Sequence, residues 1–285
     1  GEYDRAIQDF DQAMRLKPAF AVAFLARGLT YAKKSDYERA IRDYKDAIRF
    51  EPDYAKAFAG LGEAYLAIGE HYRAIQELDH ALRLEPDNAL AFYNRAGAYA
   101  GKGEYDRAIE DYTQAIRFNG DFVPAFFNRS VFYQKKSEYE RSIEDLDQVI
   151  RLEPDTKGAF NNRCWARAVL NTALEIALSD CNAALRLRPD AAEALDSRGF
   201  VYLRLAQYEK AIADCTASLD RNPKSASSLY VRGLAKWRNG DTRGGEADIA
   251  AAIALDAKIT DTYASFPGMP QLTRNVRAAT NNTKP

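Results

Sequence analysis

The feature that most constrains this 285-residue chain is a period of 34 residues. It is marked by prolines that follow one another at intervals of 34, 34, 68, 35 and 34 residues: Pro18, Pro52, Pro86, Pro154, Pro189 and Pro223. The motif GEYDRAI at Gly1 also returns at Gly103, three periods later. A fixed period of this length indicates a solenoid, in which each repeat is one supersecondary unit that buries its apolar face against its neighbours.

Counting 34 positions from Ala21 gives seven repeats, the fifth with one additional residue: 21–54, 55–88, 89–122, 123–156, 157–191, 192–225 and 226–259. Small residues recur at positions 8, 20 and 27, large ones at position 4, and tyrosine at position 11. The small positions are where two helices approach closely, because larger side chains would push the backbones apart. We therefore expect two antiparallel helices in each repeat.

This pattern of small, large and aromatic positions, with proline at position 32, resembles the tetratricopeptide repeat (TPR). The resemblance covers residues 1 to about 259 and implies an all-α, right-handed solenoid of antiparallel helix pairs. Four residues depart from it, in place of the proline or the tyrosine: Gly120, Ala257, Arg167 and Lys236. The additional residue in the 168–176 turn is expected to alter the angle between neighbouring repeats.

Both ends of the chain differ from the repeats. Gly1 corresponds to position 15, so residues 1–20 are expected to form the second helix of a truncated repeat, in a fragment of a longer protein. An apolar helix face without its partner would favour self-association through the ends of the array. Residues 260–285 are expected to form a short capping segment, with a helix near 260–266, and then a flexible tail or a segment lying along the array.

Composition and charge argue against several classes of function. Forty basic and 41 acidic residues give a net charge of -1, which offers no long-range attraction to nucleic acid. No stretch approaches the roughly 18 apolar residues of a membrane-spanning helix. The titratable residues are explained by packing and by the repeat rather than by a converging site, so neither catalysis nor a cofactor or metal is expected.

The three cysteines, Cys164, Cys181 and Cys215, lie at positions that other repeats fill with core residues. Their number is odd and no CxxC spacing is present, so they are predicted to be buried core thiols rather than a zinc site or a disulfide framework. The compartment is left open, with the reducing cytoplasm preferred.

Arginine at position 7 and aspartate at position 23 occur together in six of the seven repeats. The exception is the second repeat, where Leu61 and Glu77 take both places. This covariation predicts a ladder of bidentate Arg–Asp pairs joining the first and second helix of each repeat. The alternative is a row of arginines that faces an acidic ligand.

The TPR resemblance implies that positions 2, 5, 6, 9, 12 and 13 of the first helices face a groove, and we call these the groove positions. Position 6 carries a row of side chains able to bind a peptide backbone: Asn94, Asn128, Asn162 and Ser197. The row is similar to the asparagine ladder in the TPR superhelix of O-linked N-acetylglucosamine transferases. Further candidates occupy positions 5, 9 and 12: Tyr93, Phe127, Asn161, Trp165, Phe200, Tyr230 and Trp237. The alternatives are that the asparagines merely solvate the groove and that the aromatic residues are packing residues.

These observations predict a non-catalytic scaffold or adaptor that binds protein or peptide partners in the groove. Two alternatives remain open at this point: the recognition arm of a larger enzyme whose catalytic domain lies outside this chain, and a self-assembling module.

Overall fold

The computed structural model describes residues 1–269, and all regular structure in that range is α-helical. The sixteen helices are α1 (Glu2–Leu16), α2 (Ala21–Lys33), α3 (Tyr37–Phe50), α4 (Ala55–Ala67), α5 (His71–Leu84), α6 (Ala89–Gly101), α7 (Tyr105–Phe118), α8 (Val123–Lys135), α9 (Tyr139–Leu152), α10 (Ala159–Leu170), α11 (Leu174–Leu187), α12 (Ala192–Arg204), α13 (Tyr208–Arg221), α14 (Ala226–Arg238), α15 (Thr242–Leu255) and α16 (Ile259–Ala264).

The chain divides into two compact units, which we call the N-terminal unit (Gly1–Phe132) and the C-terminal unit (from Tyr133 on). Helices that follow one another along the chain pack side by side from α1 to α7 and from α9 to α16. The first helices of the repeats are the even-numbered α2 to α14, and the second helices are the odd-numbered α3 to α15. The fold class is therefore the all-α class that the sequence predicts.

The short side chains at position 8 permit close contact between the two helices of one repeat. A β-carbon on Gly28 would lie 2.7 Å from Cε1 of Tyr44, and one on Gly62 would lie 2.5 Å from Cγ of Leu78. Both distances are shorter than a van der Waals contact, so a larger residue would force the helices apart. Positions 8 and 24 are thus packing partners across each helix pair.

The turns between paired helices need a residue in the left-handed region. Gly69, Gly103 and Gly240 have φ of 79°, 77° and 96°, while Ser35 and Ser137 have φ of 60°. Glycine adopts this conformation without a steric cost, which explains its recurrence at these turns. The longer turn of the fifth repeat uses two such residues, Asn171 and Ala173, with φ of 56° and 46°.

The prediction of three core thiols is wrong for two of the cysteines. Cys164 and Cys181 form a disulfide, whereas Cys215 is a free, buried thiol as predicted. The reason is that Cys164 stands at position 8 and Cys181 at position 24, and these two positions face each other. The preference for a reducing compartment rested on free thiols, so its basis is removed.

Helix α16 (Ile259–Ala264) lies close to where the sequence predicts a short helix. Tyr263 and Phe266 belong to the main core cluster of the C-terminal unit, together with Phe200, Tyr230 and Val231. Residues 259–269, which we call the C-terminal segment, are therefore part of that core. The predicted flexible tail falls on residues 270–285, outside the described part of the chain.

Candidate peptide-binding surface

Five arginines at position 7 bind the aspartate at position 23 of the same repeat through two hydrogen bonds. Nε and Nη2 donate to the two carboxylate oxygens over 2.6 to 2.9 Å in the pairs Arg27–Asp43, Arg95–Asp111, Arg163–Asp180, Arg198–Asp214 and Arg232–Asp248. The aspartates are buried, and the hydrogen bonds that Arg198 donates to Asp214 raise the pKa of Arg198. The predicted ladder is confirmed for these pairs, so their guanidinium groups do not form a row facing a ligand.

A third partner of each arginine escaped the sequence reasoning. Nη1 of Arg95 donates to Asp79 over 2.6 Å, and Asp79 stands at position 25 of the preceding repeat. Other position-25 acceptors serve other arginines in the same way: Asp11, Thr113, Asp147, Asn182 and Thr216. The five arginines with a bidentate pair therefore tie together two helices of their own repeat and one of the repeat before it, and Arg129 also contacts the repeat before it through Thr113.

A sequence signal for this contact does exist. Lys45 is the one cation at position 25, and the repeat that follows it is the one with Leu61 instead of arginine. An arginine there would meet a lysine rather than an acceptor. The residue at position 25 of one repeat therefore varies together with the residues at positions 7 and 23 of the next repeat.

In the N-terminal unit, two predicted site residues contact each other. Nδ2 of Asn128 donates to the hydroxyl of Tyr93 over 3.0 Å, and the ring of Tyr93 lies 5.0 Å from that of Phe122. Asn94 is buried, with 7% of its surface exposed, so little of its amide faces solvent. Phe127 is half-buried.

The groove positions of the N-terminal unit also expose apolar side chains. Val22, Leu29 and Leu90, at positions 2, 9 and 2, are 50%, 43% and 53% exposed. In the described part of the C-terminal unit, the large apolar residues that are exposed stand elsewhere, at positions 19 and 30: Ile176, Leu187 and Leu255. The same unit therefore presents both exposed apolar groups and a pair of polar groups at its groove positions, and partner-binding surfaces combine these two kinds of group.

In the C-terminal unit, three aromatic residues at groove positions are covered by the C-terminal segment. The ring of Tyr263 lies 4.8 Å from Tyr230, 5.3 Å from Phe200 and 6.3 Å from Trp165. Phe266 follows one helical turn later, 6.2 Å from Trp165. Three first helices, α10, α12 and α14, thus contribute one aromatic residue each to hold two aromatic residues of the C-terminal segment.

Polar contacts position the same segment. The hydroxyl of Tyr263 lies 2.6 Å from Oγ of Ser227, and Ser227 donates to Asp196 over 2.6 Å. Because the serine hydroxyl has one proton, Tyr263 is the donor to Ser227. Ser228 also donates to Asp196, whose pKa is nevertheless raised by burial. Nη1 of Arg204 donates to the carbonyl of Pro267 over 2.6 Å.

The remaining predicted residues have other surroundings. Ser197 is buried and donates to the carbonyl of Glu193 in its own helix, and the carbonyl of Asn162 accepts from Gln134. Oδ1 of Asn161 is enclosed and has no hydrogen-bond partner in the described part of the chain. Trp237 is half-buried beneath the guanidinium of Arg238.

Sequence reasoning missed Ser227, Asp196, Arg204, Tyr263 and Phe266. The available signal was two aromatic residues three positions apart beyond the last repeat. No helix within residues 1–269 combines the length and apolar character needed to cross a bilayer. The same residues contain no cluster of His, Cys, Asp and Glu suited to a metal ion.

Family models agree with the helical repeats. A model described as TPR repeat matches residues 28–69 and 62–103. A second model, described as tetratricopeptide repeat, matches residues 89–122. A third model with the same description matches residues 123–156 and 192–225. The chain belongs to the tetratricopeptide repeat family. No match was found among curated proteins.

Solved structures of TPR proteins share the fold. A tetratricopeptide repeat protein from Parabacteroides merdae ATCC 43184 aligns over 92% of this chain and 99% of its own, with a TM-score of 0.60 and 18% identity. YrrB, described as a TPR protein with an unusual peptide-binding site, aligns over 66% of this chain and 97% of its own, with a TM-score of 0.57 and 21% identity. The APC/C hetero-tetramer Cut9–Hcn1 aligns over 97% of this chain and 52% of its own, with a TM-score of 0.61 and 15% identity. The chain is thus similar to TPR solenoids.

Proposed function

We propose that this chain is a non-catalytic protein-interaction scaffold that binds peptide segments of its partners at the groove positions of the first helices. The observation that carries the proposal is the packing of Tyr263 and Phe266 against groove positions of the C-terminal unit. A stretch of this chain is held there by edge-on and tilted aromatic contacts, a hydroxyl contact and a hydrogen bond to a backbone carbonyl. The same kinds of contact hold a peptide from another protein.

Within Gly1–Phe132, the N-terminal unit offers groove positions whose side chains are exposed. Val22, Leu29 and Leu90 supply exposed apolar surface, and Asn128 and Tyr93 supply polar groups near one another. YrrB, which shares the fold, is described as having a peptide-binding site, and Cut9 is found in complex with Hcn1. Both support a binding role for the groove positions of this chain.

Selection of peptides from a random display library against the purified chain tests the proposal. Peptides that bind wild type should bind Leu90→Asp and Asn128→Ala at least tenfold more weakly, because one change places a charge in the apolar surface and the other removes an amide. Leu84→Asp is the matched control, since Leu84 is exposed in the same unit but stands at position 30. Equal loss in the control and in Leu90→Asp, or no selected peptide at all, would contradict the proposal.

A further inference from the structure

A cavity of about 300 Å³ lies in the C-terminal unit, where the ends of α10, α12 and α14 meet the last residues of the C-terminal segment. Arg204 and Arg238 stand at position 13 of two successive repeats and both line it. Asn171 adds an amide, and Leu203, Leu234 and Met269 add apolar surface. None of the lining residues within residues 1–269 is acidic.

Arg204 differs from the arginines of the ladder because neutral groups surround it. Its two terminal nitrogens donate to the carbonyls of Pro267 and Val169, and its guanidinium lies 4.9 Å from the ring of Phe200. Nε is enclosed and has no hydrogen-bond partner in the described part of the chain. Burial lowers the pKa of Arg204 to about 10. A cation in such surroundings is destabilised unless an anion lies nearby.

Few acidic side chains of this chain are available to pair with the two arginines of the cavity. Arg238 is exposed at the rim and makes no ion pair with residues 1–269. The sequence that follows the cavity, residues 270–285, contains three basic residues and neither aspartate nor glutamate.

We propose that the cavity binds a small organic anion, in which a carboxylate or phosphate group is attached to an apolar body. Arg204 and Arg238 attract the oxyanion, and the Asn171 amide can donate to it. Leu203, Leu234 and Met269 contact the apolar body. The volume of about 300 Å³ is at the lower end of small-molecule sites, which suits a ligand of some ten non-hydrogen atoms. Arg204 and Arg238 stand at groove positions of the C-terminal unit, whereas the residues that test peptide binding, Leu90 and Asn128, lie in the N-terminal unit, so either proposal can hold without the other.

Calorimetric titration with three probes that share one apolar body tests the proposal: hexanoate, monohexyl phosphate and uncharged hexanamide, at constant ionic strength. We expect one anion to bind with 1:1 stoichiometry at least tenfold more tightly than hexanamide. Tighter binding of hexanoate identifies a carboxylate as the ligand group, and tighter binding of hexyl phosphate identifies a phosphate.

Variants then locate the site. Arg238→Gln should weaken binding of the anion at least tenfold, whereas Arg243→Gln, an exposed arginine of the same unit outside the cavity, should leave it unchanged. Arg204→Gln should weaken it as well, but this change also removes the bond to Pro267, so Arg238→Gln decides the matter. Absence of saturable anion binding, equal binding of hexanamide, or equal effects of Arg238→Gln and Arg243→Gln would overturn the proposal.

Discussion

The hydroxyl of Tyr263 donates over 2.6 Å to Oγ of Ser227, which itself donates to the carboxylate of Asp196. This chain of hydrogen bonds joins the C-terminal segment to α14 and α12. The ring of Tyr263 makes aromatic contacts as well, so the segment is held by both apolar and polar contacts.

Replacement of Tyr263 should destabilise the C-terminal unit. Tyr263→Ala removes a fully buried ring, which costs about 3–5 kcal/mol for large aromatic residues. Tyr263→Phe removes only the hydroxyl contact and should cost about 1 kcal/mol. Urea unfolding followed by tryptophan fluorescence measures both, and Trp165 should become more exposed in Tyr263→Ala. Thr262→Ala, an exposed change in the same helix, is the control, and an equal effect of the two alanine variants would contradict the role given to Tyr263.

Asp196 should make the stability of the chain depend on pH. Burial raises the pKa of its carboxyl group in the folded state, so between the unfolded value of about 4 and the folded value the folded chain binds more protons. The free energy of unfolding contributed by this group therefore falls as pH rises through that window. Asp196→Asn cannot ionise, so its stability relative to wild type should increase from pH 4 upward. Unfolding free energies of both chains at several pH values measure this, and a constant difference would contradict it.

The Arg198–Asp214 pair should show strong energetic coupling. Arg198→Leu leaves an enclosed carboxylate unpaired, and breaking a buried pair costs about 3–5 kcal/mol, reduced here by the partial exposure of Arg198. The double variant with Asp214→Leu should recover at least about 1 kcal/mol relative to the sum of the single changes. Leucine suits the test because Leu61 occupies this position in the second repeat.

A double-mutant cycle on Arg141 and Glu138 is the matched control for that pair. These residues form an exposed ion pair three positions apart, in the same unit. Their coupling should stay within about 0.5 kcal/mol, because solvent screens exposed charges. Additive effects at Arg198 and Asp214 would rule out a stabilising ladder.

Reduction of the Cys164–Cys181 disulfide should destabilise the chain. The two cysteines are 17 residues apart, and closing a loop of this size lowers the conformational entropy of the unfolded chain. The folded state is thereby stabilised by about 3 kcal/mol. Urea unfolding with and without reductant measures the difference in the free energy of unfolding. The Cys215→Ala variant is used for this comparison, because the free thiol of Cys215 could otherwise exchange with the disulfide. Titration of the unfolded, unreduced wild type should detect one thiol, that of Cys215, and detection of three would show that the disulfide is absent.

Much of the helical fold was predictable because the same residue types recur at the same positions of seven repeats, so each position was assigned from several examples. The spacing of small residues, the turns at Gly69 and Gly103 and the Arg–Asp ladder all follow from one 34-residue frame. The disulfide was missed because Cys164 and Cys181 were compared with their equivalents in other repeats rather than with each other. The contact of Gly28 with Tyr44 shows that positions 8 and 24 meet, and this makes the pairing evident.

The candidate site was harder to predict than the fold. Groove positions were identified from the frame, but whether a side chain there is exposed depends on what else covers it. Asn94 is buried, Asn128 contacts Tyr93, and Trp165 and Tyr230 lie beneath Tyr263. The roles of these residues in binding a peptide stay predictions.

The amino-acid sequence alone determined the helical repeats, since a period repeated seven times specifies which residues pack between neighbouring helices. Only the tertiary structure decided where the C-terminal segment lies and which groove positions remain exposed. Tyr263 and Phe266 stand outside the repeat, and their partners are 33 to 101 residues away in the chain. Local pattern cannot specify contacts over such distances, because they depend on surfaces that exist only after the helices have packed.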